Sequence, residues 1–307
     1  MIPMIAFVFP GQGSQYPGMG KDLADNFALA RQVFEEAGDA LGFDMAGLCF
    51  RGAEDELKLT ANTQPAVLTH SVAALRVVQQ ETGLTPAYTA GHSLGEYSAL
   101  VCAGALSFAD AVRTVRRRGS FMQEAVPVGM GAMAAVMGLE PSDLEDVCRE
   151  AAQGEIVSPA NFNSPGQVVI AGHSAAVERA VELARKRGAK RALALPVSAP
   201  FHCSLMVPAG ERLREVLEQI KIGPLAMPVV TNVEAEPNDD FSRVGELLVR
   251  QVSAPVRWDD SVQKMAGLGV DRFVEIGPGK VLSGLIRRIV KGVALQNVED
   301  TAGLKEL

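Results

Sequence analysis

Ser93 stands between Gly91 and Gly95 in the run Tyr88-Thr89-Ala90-Gly91-His92-Ser93-Leu94-Gly95-Glu96, which leads from an extended segment into an Ala/Leu-rich helical stretch. This is the pattern of a nucleophile elbow, a sharp strand-to-helix turn that lifts a serine above the edge of a sheet. The serine needs strained backbone geometry, and side chains at the flanking positions would collide with the turn. The hydroxyl would then sit at the N-terminus of the next helix, where unpaired backbone N–H groups stabilise negative charge of the kind an acyl-transfer oxyanion carries. Gly-x-Ser-x-Gly also occurs in ordinary tight turns, so the rest of the chain has to decide.

A serine hydroxyl is a weak nucleophile until a base takes its proton. The histidines are His70, His92, His173 and His202. His70 falls inside a helical run and reads as a packed or partly exposed side chain. His92 adjoins Ser93, and adjacent side chains diverge on a tight turn, so it suits support of the elbow or contact with an acyl group. His173 closes a strand. His202 follows the proline-punctuated loop Pro196-Val197-Ser198-Ala199-Pro200-Phe201, a natural place for a cleft, and is the best candidate base, set against an ordinary loop histidine. Near the N-terminus, Pro10-Gly11-Gln12-Gly13-Ser14-Gln15 follows an apolar strand. The Gln12 N–H could be a second oxyanion donor, or the segment a plain βα turn. Neither Gly-x-Gly-x-x-Gly nor a Gly-Lys-Ser/Thr ending is present for a nucleotide phosphate.

The elements that must hold these residues follow from hydrophobic pattern. Residues 5–9 form a continuous apolar run of the kind buried on both faces of a parallel sheet, and 227–232 and 273–276 read likewise. Residues 27–41 and 64–80 have helical spacing, the second with Pro65 near its first turn. Ser107 with Asp110 starts another helix, expected to run to about Arg118 before Gly119. Of its arginines Arg113, Arg116, Arg117 and Arg118, at least three are expected on a solvated face. Between 129 and 197 the order becomes βαββαβ, the ferredoxin-like arrangement. The expected fold class is α/β: a mainly parallel sheet over 1–128 and 198–307, with a ferredoxin-like subdomain inserted at 129–197.

The chain has 307 residues, 48% of them hydrophobic and 21% charged, with a net charge of -7. This balance gives no reason to expect nucleic acid. The opening apolar run lacks a basic region and carries Pro3, so it reads as a strand rather than a signal peptide. No stretch approaches the ~20 apolar residues of a membrane span, and a cytoplasmic protein is expected. Cys49, Cys102, Cys148 and Cys203 are scattered and read as reduced, buried thiols rather than metal ligands or disulfides.

The chain resembles the malonyl-CoA:acyl-carrier-protein transacylase family. The matching pieces are Gly11-Gln12-Gly13-Ser14-Gln15, Gly91-His92-Ser93-Leu94-Gly95-Glu96, Arg118-Gly119-Ser120-Phe121-Met122-Gln123-Glu124-Ala125, Asn161-Phe162-Asn163-Ser164-Pro165-Gly166-Gln167, Ser198-Ala199-Pro200-Phe201-His202 and Glu275-Ile276-Gly277-Pro278-Gly279, in family order along almost the whole chain. The resemblance implies a hydrolase-like α/β core with a ferredoxin-like subdomain. It also implies that Ser93 is the nucleophile and His202 the base, with the backbone N–H groups of Gln12 and Leu94 as oxyanion hole. Arg118 would pair with the malonyl carboxylate, and the main-chain carbonyl of Gln251 would orient His202, so that Gln251→Ala should be much milder than His202→Ala. Phe201, where some members carry serine, and Leu94 resemble malonyl-selective members. The expected reaction is ping-pong transfer of malonyl from malonyl-CoA to the phosphopantetheine thiol of acyl carrier protein, for fatty acid synthesis. No metal or nucleotide cofactor is implied. A thioesterase, another serine hydrolase, or a silent binding subunit of a larger synthase remain the alternatives. The basic trio Arg287, Arg288 and Lys291 is either a docking patch for the acidic carrier protein or a solvated helix face.

Overall fold

In the computed structural model, which describes residues 3–197 and 199–307, the strands form two sheets. The large sheet contains β1 (Ile5–Phe9), β2 (Tyr88–Gly91), a short β7 (Val229–Val230), an edge β8 (Pro237–Asn238), β10 (Arg272–Ile276) and β11 (Ala294–Val298). Their order is β11-β10-β1-β2-β7-β8, parallel throughout except for the β7·β8 pair. All five residues of β1 are buried because both faces are covered. Ile5, Phe7 and Phe9 enter the core beneath the helices Ala28–Leu41, Thr60–Thr82 and Phe108–Glu124. Ala6 and Val8 face the opposite way, towards Trp258, Val262, Leu282 and Ile286. The carboxyl ends of β1 and β2 lie side by side, with Phe9 opposite Gly91. They therefore bring the Gln12 turn and the Ser93 turn to one edge, where open α/β sheets bind ligands.

The second sheet contains β3 (Gly131–Met137), β4 (Val157–Ser164), β5 (Gln167–His173), β6 (Arg191–Ala194) and β9 (Val256–Arg257), in the order β6-β3-β5-β4-β9. The first four pair antiparallel. Helices Pro141–Ala152 and Ser174–Lys186 cover one face, packing Leu144, Val147 and Val177 on Val136, Val168 and Ile170. Met133, Val169 and Ala171 point the other way and join the main core. β9 runs parallel to β4 and belongs to the later part of the chain, so it ties the two sheets together. At two residues, it is too short to leave a hydrophobic period in the sequence.

Two helices depart from their expected extents. The helix expected over 64–80 begins a turn earlier, at Thr60, so Pro65 lies inside it. Proline cannot donate to the carbonyl four residues back, here that of Ala61. Arg116 supplies the missing donor, its Nη1 lying 2.7 Å from Ala61 O, and it also reaches Asn62 Oδ1. Arg116 is thus a half-buried structural side chain rather than part of a solvated face, and Arg113 donates to Ala40 O at 3.1 Å. The other helix, Phe108–Glu124, starts at Ser107, whose Oγ caps Asp110 N, but it does not stop near Arg118. It continues through Gly119 to Glu124, because the glycine is there for contact rather than termination. A Cβ at 119 would lie 2.7 Å from Thr60 O and 2.9 Å from Ala61 Cα. The strand expected over 227–232 shrinks to Val229–Val230, since Thr231 enters a turn closed on Glu236 and Asn232 leaves the ladder for the elbow.

Among the described residues no helix is long and apolar enough to cross a membrane. All four cysteines are free and buried.

Gly119 supplies a test in which the sign is informative. Gly→Ala in an unobstructed helix interior stabilises by ~1 kcal/mol. Here the added methyl meets backbone on both near sides, so Gly119→Ala should destabilise by ~1 to 3 kcal/mol, the range for overpacking. Urea unfolding measures it, and a rise in midpoint would show that the Thr60–Thr82 helix can retreat.

Candidate active site

The Ser93 turn is built on close backbone approach. A methyl at Gly91 would overlap the Gly95 carbonyl, and one at Gly95 would overlap the Phe9 carbonyl. Ser93 itself has φ 51°, a left-handed conformation that a side-chain-bearing residue adopts only when its surroundings enforce it. Asn232 provides the enforcement. Its Oδ1 accepts from Ser93 N at 2.6 Å, and its Nδ2 donates to Gly91 O at 2.7 Å.

His202 reaches the serine from across the cleft, with Nε2 2.7 Å from Ser93 Oγ. Its Nδ1 lies 2.8 Å from the Gln251 carbonyl, and because a carbonyl only accepts, Nδ1 carries the proton and Nε2 is free to take one. His202 also has positive φ, 60°. Burial pushes its pKa down to about 3, and the nearby Arg118 charge adds to that depression. The imidazole is therefore neutral near pH 7, as a general base has to be. The Ser198 part of the loop before it lies outside the described residues.

Arg118 is 1% exposed and meets the same oxygen from another side. Its Nη2 donates to Ser93 Oγ at 3.1 Å and to Gln251 Oε1 at 2.8 Å, and its Nη1 donates to Gln64 Oε1 at 2.9 Å. None of these partners is charged. Burial lowers its pKa, with Glu96 and Tyr97 acting in the opposite direction. Arg118 thus points into the cleft from a helix interior, not from a helix end as its neighbour Gly119 suggested.

These groups line a cavity of about 130 Å³ together with Gln12, Leu94, Met122, Met133, Val197 and Phe201. Met133 comes from the second sheet, so the cavity sits where the sheets meet. The amides of Gln12 and Leu94 donate to no protein group among the described residues, whereas Ser93 N is taken by Asn232. A second small cavity on the far side of Gln12 is bordered by His92, Asn163, Gln167 and Val281.

All six candidates, Ser93, His202, Gln12, Leu94, Arg118 and Gln251, converge here. The main-chain carbonyl of Gln251 faces His202 as expected, and its side chain is engaged as well. Its Nε2 donates to Ser93 O at 2.9 Å and Glu96 Oε2 at 2.8 Å, while its Oε1 accepts from Arg118. Of the remaining histidines, His92 borders the cavity but its ring turns to another partner, and His173 and His70 lie away from it. His92 Nε2 lies 2.8 Å from Asn163 Oδ1, which props the second sheet on the elbow. His173 Nδ1 accepts from Ile156 N. His70 is fully buried, with Nε2 2.9 Å from Glu299 O and its pKa lowered to about 4 by burial.

Three residues of the site were not singled out from sequence. Asn232 lay in what read as a strand, and Gln64 at what read as a helix start. Glu96 carried the one available signal, a carboxylate directly after Gly95 in an otherwise apolar run. It is 2% exposed, and burial raises its pKa to about 7.

A family model described as "Acyl transferase domain" matches residues 6–305. The malonyl CoA-acyl carrier protein transacylase of Escherichia coli (strain K12) is 55% identical over 285 residues, 93% of this chain and 92% of that protein. The crystal structure of an acyl carrier protein S-malonyltransferase from Vibrio cholerae superposes with a TM-score of 0.96 at 50% identity, covering 98% of this chain and 99% of that one. PlMCAT:AntF, a type II PKS acyl-carrier protein in complex with its malonyl-transacylase, gives 0.96 at 52% identity, covering 98% of both chains.

The environment of His202 leads to a titration prediction. With its pKa depressed, the ring should stay neutral from pH 8 down through 6.5, where an ordinary histidine protonates. Removing the neighbouring positive charge removes one of the depressing influences, so Arg118→Ala should shift the titration upward. Proton NMR of the imidazole Cε1–H resonances, assigned with His202→Ala, reads both. A wild-type midpoint near 6.5 would mean that the ring is solvated.

Proposed function

The chain belongs to the acyl transferase domain family, and from that premise we propose how its cavity carries out the reaction. The protein transfers malonyl from malonyl-CoA to acyl carrier protein. Ser93 Oγ attacks the thioester carbonyl while His202 Nε2 takes its proton. The oxyanion is received by the amides of Gln12 and Leu94. CoA leaves as a thiol with the proton returned by His202, and malonyl remains as an ester on Ser93. The phosphopantetheine thiol then gives its proton to His202 and attacks the ester, and Ser93 is released. A thioester is already activated, so these steps need neither metal nor nucleotide. The amide-lined cavity beyond Gln12 suits the pantetheine arm, which both thiols share. The malonyl product feeds fatty acid synthesis in the cytoplasm.

The observation that carries malonyl rather than a neutral acyl group is Arg118. A guanidinium buried with neutral partners only is costly, and a carboxylate that takes two of its N–H groups in parallel offsets the cost. Contact with Ser93 Oγ puts that carboxylate close to the ester it belongs to.

We read the large sheet as the hydrolase-like core, spanning 1–128 and 198–307, and 129–197 as an inserted ferredoxin-like subdomain. The β6-β3-β5-β4 order with antiparallel pairing supports the second part of that reading.

Arg118→Ala should cost malonyl transfer ~2 to 4 kcal/mol, the scale for removing one partner of a buried charged pair. Transfer of acetyl should fall far less. The ratio of kcat/KM for malonyl-CoA over acetyl-CoA measures this, and an unchanged ratio would remove Arg118 from carboxylate binding. Malonyl mass should map to Ser93 and be absent from Ser93→Ala. For docking, Arg287 is exposed, whereas Arg288 is engaged with Gln167 Oε1. Arg287→Glu should therefore raise KM for carrier protein at low salt without changing acylation by malonyl-CoA. If KM does not move, Arg287 is only a solvated side chain.

A further inference from the structure

Glu96 is the buried acid nearest the reacting groups, and the reaction above gives it no part. It does not line the cavity. Its Oε2 accepts from two donors, Asn232 N at 3.0 Å and Gln251 Nε2 at 2.8 Å. Each of those residues holds a different piece of the site. Asn232 pins the Ser93 turn through Ser93 N and Gly91 O. Gln251 holds His202 through its main-chain carbonyl and Arg118 through its side-chain carbonyl.

The orientation of the Gln251 amide is decided by this arrangement. A primary amide has a donor end and an acceptor end of nearly the same shape. Glu96 Oε2, which also accepts from Asn232 N, and the Ser93 carbonyl oxygen are acceptors, so the NH₂ faces them. Arg118 presents only donors, so the oxygen faces it. Turning the amide over would set an NH₂ against a guanidinium and an oxygen against a carboxylate, unfavourable at both ends. We propose that Glu96 is a positioning residue that locks the Gln251 amide and thereby holds Arg118 in register with Ser93 and His202, so that preference for a carboxylate-bearing acyl group depends on a carboxyl group that never touches the substrate.

This inference rests on the carboxylate-binding reading of Arg118, and the two can be tested apart. The measurement is the malonyl-CoA to acetyl-CoA ratio of kcat/KM in Glu96→Gln, Gln251→Met, the double variant and Arg118→Ala, with thermal unfolding of each. With Glu96 ionised above pH 7, Glu96→Gln keeps the shape but sets a neutral amide oxygen, a weaker acceptor, where Oε2 accepts from Asn232 N and Gln251 Nε2, and the ratio should fall about tenfold, the scale for a hydrogen bond to a charged group. Gln251→Met keeps the carbonyl that orients His202 but removes the amide, and should lower the ratio by a similar factor. If Glu96 acts through Gln251, adding Glu96→Gln to Gln251→Met should change the ratio little further, because residues in one network are not additive. A merely structural Glu96 would lower stability and slow both substrates alike, leaving the ratio in place. That result, or full additivity in the double variant, overturns the proposal while Arg118→Ala still collapses the ratio. If Arg118→Ala also leaves the ratio unchanged, the carboxylate-binding reading falls and this inference with it. Should Glu96→Gln not fold, Glu96→Asp withdraws the carboxyl group from Gln251 by a methylene, and an intermediate fall in the same ratio is expected. An unchanged ratio in that variant counts against the proposal.

Discussion

The structure depends on a backbone contact with no room for a side chain, where Gly91 and Gly95 meet beneath Ser93 and Gly95 rests on the carbonyl of Phe9. Two adjacent strand ends and the start of a helix are forced into one tight junction. The serine between them is driven into a left-handed conformation, which costs ~1 to 3 kcal/mol unless the surroundings determine it. Here they do so from a distance in sequence, because Asn232 grips both the Ser93 N–H and the Gly91 carbonyl. Taking Ser93 N out of play in this way has a chemical consequence. It leaves the next amide, that of Leu94, as the free donor on the elbow, facing the Gln12 turn delivered by the neighbouring strand.

Burial of charge sets the second constraint. Removing a guanidinium and a carboxylate from water costs several kcal/mol per ion, and direct pairing is the usual remedy. Arg118 and Glu96 are both buried, yet the Gln251 amide stands between them and touches each. A direct pair would have consumed the two guanidinium N–H groups that a carboxylate needs. The amide satisfies one N–H and relays the orientation while leaving the positive charge uncompensated at close range. Part of the desolvation cost of Arg118 is thereby kept until an anionic acyl group enters, which makes that group's binding selective rather than merely favourable.

Where the sequence was informative, the information was local. The Ser93 elbow was legible because its glycines leave a fixed spacing, and the buried run of β1 because its apolar residues are contiguous. His202 stood out because only four histidines compete and it alone follows an irregular loop. Arg118 was placed correctly in the cleft but for the wrong reason, since Gly119 is a contact with the Thr60–Thr82 helix and not a terminus. The start of that helix was misread because Pro65 normally marks a first turn, and only a distant arginine shows how it is tolerated inside one. Asn232, Gln64 and the side chain of Gln251 were invisible for a common reason. Each acts through a hydrogen bond to a residue at least 50 positions away, and neither periodicity nor capping rules report such bonds.

The group behind His202 gains a rationale from the same electrostatics. Many serine hydrolases set a carboxylate there, which fixes the imidazole and stabilises it when protonated. In this cavity a carboxylate at the Gln251 carbonyl would lie close to Arg118 as well, and would compete with the acyl carboxylate for the same guanidinium. A neutral carbonyl fixes the tautomer equally well, because it too accepts only from Nδ1–H. What it gives up is stabilisation of the imidazolium, whose position beside Arg118 is already unfavourable. An acyl carboxylate bound to Arg118 would offset that unfavourable field as the proton arrives on His202. The substrate would then supply, through Arg118, part of the negative charge that a hydrolase builds permanently into its protein.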